Sequence, residues 1–397
     1  MHIEKQTDTA WISLQETHKK FTQIRHDIHR HPETAFEEFK TADLIAEQLQ
    51  SWGIEVHRGF ATTGVVGILK AGDGDDAIGL RADMDALHLD EMNSFDHKSV
   101  HQGRMHGCGH DGHTTMLLAA AEYLAKSKNF SGTVYFIFQP AEENEGGGKV
   151  MVEEGLFDKF PVKAVFGMHN IPGIPLGSFA VRPGAMMAGY DRFDITIKAK
   201  GGHAAMPDKF IDPIVIATDL VGAINTIVSR NMNPMHSAVV SVTRIAAGET
   251  YNVIPETATL AGTVRYFNID DQALIQQRLE TLAVNIAKAY GATAKVEYRV
   301  GYPPTLNSVD ETAICTDVLI DVFGADKVDK EPEPLMAGED FAFMLQKSPG
   351  CYVWAGNGSE GPHSCMVHNP NYDFNDELIP LGALYWVKLA EKLLPSD

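Results

Sequence analysis

The order of strand-like and helix-like segments is the feature of this sequence that most limits its fold. Up to about residue 185, apolar runs such as 64–70 and 132–139 alternate with helical patterns such as 113–126. The same alternation resumes at Asp310 and continues into a C-terminal helical pattern at 379–394. Segments in this order predict an α/β domain whose parallel or mixed sheet is covered by helices on both faces.

The pattern changes between Met187 and Pro303, where strand-like segments alternate apolar and polar residues. Strands are predicted at 190–200, 237–244, 257–267 and 293–300, and helices at 212–230 and 270–290. The order βαββαβ is that of a ferredoxin-like sandwich. We therefore predict a mixed-sheet domain, residues 1–186 and 304–397, interrupted by a smaller inserted domain, residues 187–303.

Acidic side chains outnumber basic ones in this chain. There are 53 Asp and Glu against 33 Lys and Arg, which gives a net charge of −20 at pH 7. Nucleic acids and anionic membranes bind clustered positive charge, so neither is expected as a partner. An acidic small molecule would need a local basic site that acts against the overall field of the protein.

Targeting and redox signals favour the cytoplasm. The N-terminal segment 1–20 is polar and lacks the apolar core of a signal peptide. No apolar stretch approaches the ~18 residues that a membrane span needs. The four cysteines are too few and too scattered for a disulfide framework in a chain of 397 residues. We expect a cytoplasmic protein with free thiols that are available for metal binding.

The segment Met105–His113, with the sequence MHGCGHDGH, carries the densest chemical signal. Thiolate and imidazole are strong ligands for zinc-like ions, and the glycines allow the backbone to bring Cys108 and His110 together. A catalytic metal site, a structural zinc knuckle and histidines that cap a helix all fit this segment taken alone. No second Cys/His pair lies nearby, so further ligands must come from elsewhere in the chain.

Glu142 and Glu143 follow the apolar run TVYFIF, at the predicted carboxyl end of a strand, where α/β proteins build their sites. Neighbouring residues of an extended chain point in opposite directions, so the two glutamates are not expected to be equivalent ligands. One glutamate that binds a metal and another that carries protons would suit metal-dependent hydrolysis. A solvated acidic loop is the alternative interpretation, because Glu145 is also close.

Two further histidines occupy comparable positions. His169 ends the apolar run AVFGMH, and His368 lies in MVHNPNYDFND before the C-terminal helix. A single histidine is more often structural than a ligand. Separate segments that each bring a metal-type side chain to a strand end or a loop nevertheless predict, taken together, a metal site. Zn, Mn, Co and Ni all suit a mixture of thiolate, imidazole and carboxylate.

A set of spaced motifs resembles one known family. The chain contains RADMDAL, MHGCGHDGHT, PAEE, GMHN, GGHAAMP, NVIP, GTVR, GEDF and HNPNYDFND, in this order. Together they resemble the amidohydrolase branch of the dinuclear metallopeptidase superfamily, which also contains carboxypeptidase G and the aminoacylases. The branch includes hippurate hydrolases, auxin-conjugate hydrolases and N-acyl-amino-acid deacylases. The similarity runs from about residue 20 to the C-terminus, and it specifies the branch more closely than the substrate.

The resemblance implies a catalytic domain with two divalent metal ions. The metal ligands of the branch match Cys108, His110, Glu143, His169 and His368, and its general base matches Glu142. Cys108 falls near the place of a bridging aspartate in related peptidases, and Asp85 stands where a carboxylate would orient a ligand. His88 departs from the branch, which usually has proline after RADMDAL, and the departure concerns the shape of that loop.

The resemblance also assigns roles in the inserted domain, which it implies to be a lid and a dimerisation domain. His203 matches a donor to the substrate carbonyl or oxyanion, which often acts in the neighbouring subunit of a dimer. Asn252 and Arg265 match residues that bind the substrate carboxylate, a role that suits a guanidinium. As alternatives, Arg265 would be a surface residue of a strand and Asn252 the start of a turn. A homo-oligomer, dimer or tetramer, is expected.

The leading hypothesis is a metalloenzyme that hydrolyses the amide bond of a small-molecule N-acyl amino acid. One alternative keeps the fold and exchanges the substrate, as in a metallodipeptidase that cleaves peptides with a free amino end. Another alternative is a non-catalytic metal-binding protein. Glu142 beside Glu143 argues against that class, since a structural metal site has no use for an additional carboxylate.

Overall fold

The computed structural model describes residues 8–143 and 145–396, which form two compact units. The larger unit comprises residues up to Met186 together with Leu306–Glu333 and the chain from Asp340 onward. The inserted unit comprises Met187–Thr305 and the short segment Pro334–Glu339. The start of the polar N-terminal segment, residues 1–7, lies outside the described part of the chain.

The chain before the insertion forms five helices and seven strands among its described residues. In chain order these are α1 Thr9–Arg30, α2 Phe39–Ser51, β1 Glu55–Phe60, β2 Gly64–Ala71, β3 Ala77–Asp83, α3 His110–Ser127, β4 Gly132–Gln139, α4 Gly147–Glu153, α5 Leu156–Lys159, β5 Ala164–Pro172, β6 Phe179–Ala180 and β7 Gly184–Met187.

The rest of the chain forms the elements of the inserted unit and then completes the larger one. The insertion contains β8 Gly189–Lys198, β9 Gly202–His203, α6 Pro213–Ile224, α7 Thr226–Asn231, β10 Ala238–Ala247, β11 Val253–Ile254, β12 Thr257–Tyr266, α8 Ile269–Ala289 and β13 Thr293–Tyr302. After it come β14 Thr305–Asn307, α9 Val309–Phe323, β15 Val328–Asp329, α10 Ala342–Leu345, β16 Gly350–Gly358 and α11 Leu378–Leu393. Short 3₁₀ turns occupy Pro207–Lys209, Ala325–Lys327 and Pro362–Ser364.

The larger unit is built on a sheet of eight strands in the order β1-β2-β4-β3-β5-β16-β6-β15. Strands β4, β3, β5 and β16 run parallel, whereas β1, β2 and β6 add antiparallel pairs. Nearly every residue of β3 and β5 is buried, as expected for strands with helices on both faces. The predicted α/β class with a mixed sheet is confirmed.

The parallel strands bring three carboxyl ends to one edge of this sheet. Asp83 at the end of β3 pairs with Gln139 at the end of β4, and Arg81 pairs with Gly167 of β5. His169 of β5 therefore lies level with Asp83. The sequence predicted His169 at the end of this strand. That position is wrong, because β5 continues to Pro172 and His169 lies within the strand.

The inserted unit has its own sheet and its own core. Its strands are antiparallel in the order β10-β12-β8-β13, and α6, α7 and α8 pack with them in the predicted βαββαβ order. Burial alternates along β12, where Leu260, Val264 and Tyr266 face the helices. The opposite face of β12 carries Thr257, Thr259, Thr263 and Arg265.

Three helix boundaries differ from the sequence prediction. Helix α1 begins at Thr9 and not at residue 22, because Asp8 caps it by accepting hydrogen bonds from the amides of Ala10 and Trp11 at 2.8 and 3.1 Å. The single helix predicted at 212–230 is divided into α6 and α7 at Asn225.

The third difference concerns the motif MHGCGHDGH. Helix α3 begins at His110, one turn earlier than predicted, because Gly109 adopts the left-handed φ of 98° just before it.

Within residues 8–143 and 145–396, none of the helices combines the length and the apolar character that crossing a membrane requires.

Candidate metal centre

The side chains that the sequence predicted to bind metal meet at the carboxyl edge of the sheet in the larger unit. Cys108 precedes α3, His110 is its first residue, and Glu142 and Glu143 follow β4. His169 comes from β5 and His368 from the loop before α11. These positions bring side chains from distant parts of the chain into one cluster.

Three overlapping groups of possible ligands consist only of these six side chains. Within each group, one atom from every residue lies within 4.8 Å of the others. The groups are Cys108, His110 and His169; Cys108, Glu143 and His368; and His110, Glu142 and Glu143. Because Cys108, His110 and Glu143 each belong to two of these three groups, the arrangement has room for adjacent cations.

Unsatisfied buried atoms show that a cation fits here. His110 Nε2 and Glu143 Oε1 are buried and form no hydrogen bond, although Glu143 Oε1 lies 3.0 Å from His368 Nε2. Cys108 Sγ lies 3.3 Å from His169 Nε2. A buried polar atom without a partner is destabilising, and thiolate, imidazole and carboxylate together form the donor set of a transition-metal site.

Asp85 fixes two of the candidate ligands. Its Oδ1 lies 3.1 Å from His110 Nδ1, and its Oδ2 accepts a hydrogen bond from the Glu143 amide at 3.0 Å. This contact leaves Nε2 of His110 directed at the cluster, which is the usual arrangement of a histidine ligand and its supporting carboxylate.

His113 belongs to the same sequence motif but is already bound on both sides. Its Nδ1 lies 2.6 Å from Asp83 Oδ1, and its Nε2 lies 2.7 Å from Asn170 Oδ1. Asn170 in turn donates to the Tyr372 hydroxyl at 2.6 Å. These contacts give His113 a supporting role behind the cluster.

The protonation of the cluster depends on burial and on its own charges. Burial raises the pKa of the Cys108 thiol well above its usual value, and the negative charges of Glu143 and Glu142 raise it further. Burial alone would lower the pKa of His110, but the charges of Asp83 and Asp85 outweigh it and raise the pKa to about 10. The negative charge of the cluster therefore favours any cation, a proton or a metal ion.

A second network behind the cluster, centred on the buried Arg25, was not predicted from the sequence. Arg25 of α1 lies 3.1 Å from Asp111 Oδ2, 3.3 Å from Asp373 Oδ1 and 2.6 Å from Asp376 Oδ1. Asp111 follows His110, and the other two aspartates follow His368 in the same loop. Arg25 thereby ties the start of α3 to that loop. No local motif marks Arg25, because its partners are far away in the sequence.

The predicted residues of the inserted unit do not come together within it. His203 on β9 pairs with Val253 on β11, and the Ala204 amide donates to the Asn252 carbonyl at 3.1 Å, so His203 and Asn252 are neighbours. Both are exposed and lie beyond the end of the β8–β12 ladder at which Lys198 pairs with Thr257.

Arg265 lies at the opposite end of the same ladder. It pairs with Tyr190 of β8, eight residues along the strand from the Lys198 pair. Eight residues of antiparallel strand span about 27 Å. One small molecule therefore cannot contact Arg265 and His203 of the same inserted unit.

Comparisons with known proteins agree with this site. The sequence profile of peptidase family M20/M25/M40 matches residues 79–392. The hippurate hydrolase of Campylobacter jejuni is 42% identical over 375 residues, which cover 94% of this chain and 97% of that enzyme. An N-acetyl-L-cysteine deacetylase of Bacillus subtilis is 36% identical over 387 residues, covering 97% of this chain and 91% of that enzyme. Among solved structures, a dinuclear metal-binding M20 peptidase from Bacillus subtilis superposes with a TM-score of 0.84 at 32% identity, covering 96% of this chain and 100% of that one.

Proposed function

The chain belongs to peptidase family M20/M25/M40, and from this premise we propose that it hydrolyses the amide bond of N-acyl amino acids with two divalent metal ions. The family match and the similarity to these enzymes confirm the resemblance inferred from the motifs. The observation that carries the proposal is the cluster in which candidate ligands from four chain segments lie together, with Glu142 beside His110 and Glu143.

Each residue of the cluster has a role in this proposal. The two ions would be held by Cys108, His110, Glu143, His169 and His368. When bound, such ions polarise a carbonyl and lower the pKa of water. Glu142 takes a proton from the attacking water and passes it to the nitrogen of the leaving amino acid. Zn, Mn, Co and Ni all suit this donor set.

The substrate residues require two copies of the chain. We assign the substrate carboxylate to Arg265, the developing oxyanion to His203, and a supporting contact to Asn252. Since Arg265 and His203 of one chain are separated by about 27 Å of strand, one copy would supply Arg265 and a second copy would supply His203 with Asn252. A homodimer is the smallest assembly that meets this condition. The role of the inserted domain as a lid stays a prediction.

Assay of benzoylglycine tests the activity directly. We expect release of benzoate, and we expect a chelator to lower the rate by about two orders of magnitude or more, because the polarising ions are lost. Readdition of Zn, Mn, Co or Ni should restore activity. Hydrolysis of unblocked dipeptides with no activity on benzoylglycine would instead identify a metallodipeptidase, and no hydrolysis of either would refute the proposal.

Mixed dimers test whether His203 acts across the subunit boundary. His203→Ala should mainly lower kcat, and Arg265→Ala should mainly raise KM and weaken the preference for free acids over amides. Measured as kcat/KM, an equal co-expressed mixture of the two variants should regain about a quarter of the wild-type value, because half of the dimers are hybrid and half of their sites are intact.

A matched pair of variants provides the control for this recovery. His203→Ala mixed with Asn252→Ala should show no recovery, since both residues come from the same copy in our assignment. Recovery of activity in this control mixture would contradict a site shared in this way. Absence of recovery in the mixture of His203→Ala with Arg265→Ala would contradict it as well.

A further inference from the structure

The face of the inserted sheet opposite α6 and α8, here called the open face, carries four arginines among the described residues, one on each strand. They are Arg192 on β8, Arg244 on β10, Arg265 on β12 and Arg299 on β13. Arg244 and Arg299 both form ion pairs with Asp194, at 3.9 and 3.4 Å, and Arg299 also lies 3.5 Å from Glu297. Within residues 8–143 and 145–396, Arg192 and Arg265 form no ion pair. Two positive charges on this face therefore lack a counter-ion.

The two unpaired arginines meet at one aromatic ring. The guanidinium of Arg265 lies 4.4 Å from the centroid of Tyr190, and that of Arg192 lies 5.0 Å from the same centroid. Arg192 also donates to the Tyr190 hydroxyl, and Tyr302 packs edge-on against the ring at 6.1 Å. Two cations held on one ring are no more than about 10 Å apart.

The neighbouring carboxylate does not neutralise this pair. Asp191 lies between Tyr190 and Arg192 in the chain, but its side chain is buried on the helix side of the sheet. There it accepts hydrogen bonds from Gln272 and from the hydroxyls of Tyr266 and Tyr298, at 2.9, 3.3 and 2.7 Å. Burial lowers the pKa of Arg265, and the charge of Arg192 lowers it further, as expected for uncompensated like charges.

We propose that Arg192 and Arg265 together form a site for a dicarboxylic amino acid, so that the preferred substrates are N-acyl glutamate or aspartate. This inference rests on the proposed function, in which Arg265 binds the α-carboxylate. Arg192 then binds the side-chain carboxylate of the same amino acid. Each guanidinium can grip one carboxylate in bidentate fashion, and a short dicarboxylic acid spans the gap between them. The pair also provides the local basic site that an acidic substrate needs in a chain of net charge −20.

The test compares two substrates that differ in one charge. N-benzoyl-glutamate and N-benzoyl-glutamine have nearly the same shape, so the ratio of their kcat/KM values measures recognition of the side-chain carboxylate. We expect the wild type to prefer glutamate about tenfold, the scale of one hydrogen bond to a charged group. Arg192→Gln should reduce that ratio to near unity.

Arg299→Gln is the matched control. Arg299 pairs with Arg192 across β13 and β8 on the same face, but it already has carboxylate partners. This variant should keep the glutamate preference, which shows that the loss in Arg192→Gln is not a general effect of removing positive charge. As a second readout, free glutamate should inhibit the wild type more strongly than free glutamine does.

The outcomes separate this inference from the proposed function. If no N-acyl amino acid is hydrolysed, the proposed function fails. If both substrates are hydrolysed and the ratio does not change in Arg192→Gln, the dicarboxylate site is refuted. If Arg192→Gln lowers kcat/KM equally for both substrates, Arg192 binds the α-carboxylate together with Arg265. The inference is likewise overturned in that case.

Discussion

Replacement of Glu142 by glutamine should lower kcat by about two to four orders of magnitude, the usual contribution of general acid–base catalysis. Glu142 is buried, and one of its oxygens lies within 4.8 Å of ligand atoms of His110 and Glu143. In that position the carboxylate can take the proton of the attacking water and return it to the leaving nitrogen. Glutamine keeps the size of the side chain but cannot accept a proton, so fold and metal content should be retained.

The measurement is steady-state kinetics on benzoylglycine, with metal content and circular dichroism on the same samples. Glu145→Gln is the matched control, because Glu145 lies in the same acidic segment but is exposed. That variant should retain wild-type kcat. Turnover near the wild-type level in Glu142→Gln would show that another group moves the proton.

The sequence predicted the positions that depend on local patterns. The apolar runs before Glu142 and His169 mark buried parallel strands, and their carboxyl ends meet because neighbouring parallel strands end at the same edge. The glycines around Cys108 mark the turn that brings this residue and His110 to one place. For these reasons the candidate ligands could be named before their geometry was known.

Features that depend on long-range contacts could not be read in this way. The ion-pair partners of the buried Arg25 are separated from it by 86 to 351 residues, so no periodicity or motif connects them. The separation of His203 from Arg265 follows from the register of β8 with β12, which a strand pattern does not specify. The segment Pro334–Glu339 joins the inserted unit although its sequence position lies beyond that domain's predicted end at 303.

Replacement of Cys108 by serine should remove metal and activity together, with metal affinity reduced by more than the ~10–100-fold that loss of a residue supporting a ligand causes. The Cys108 sulfur lies 3.3 Å from His169 Nε2 and belongs to two of the three ligand groups. Burial, together with Glu143 and Glu142, raises the pKa of the thiol, so that it would stay protonated without a cation. A bound metal ion deprotonates a thiol outright, whereas a serine hydroxyl is far less acidic and would remain a weak ligand.

Metal titration and alkylation distinguish a ligand from a nucleophile at this position. The metal-loaded protein should resist alkylation of Cys108, because a bound metal ion occupies the sulfur. Cys365→Ser is the control, since Cys365 is partly exposed and lies outside the three ligand groups, so this variant should keep its metal and its activity. An acyl-thioester trapped on Cys108 would contradict the assignment, because a sulfur engaged with metal ions does not serve as the attacking group in the mechanism proposed here. A Cys108→Ser protein with its full metal content and turnover would contradict it equally, because the thiolate would then contribute neither charge nor coordination to the cluster.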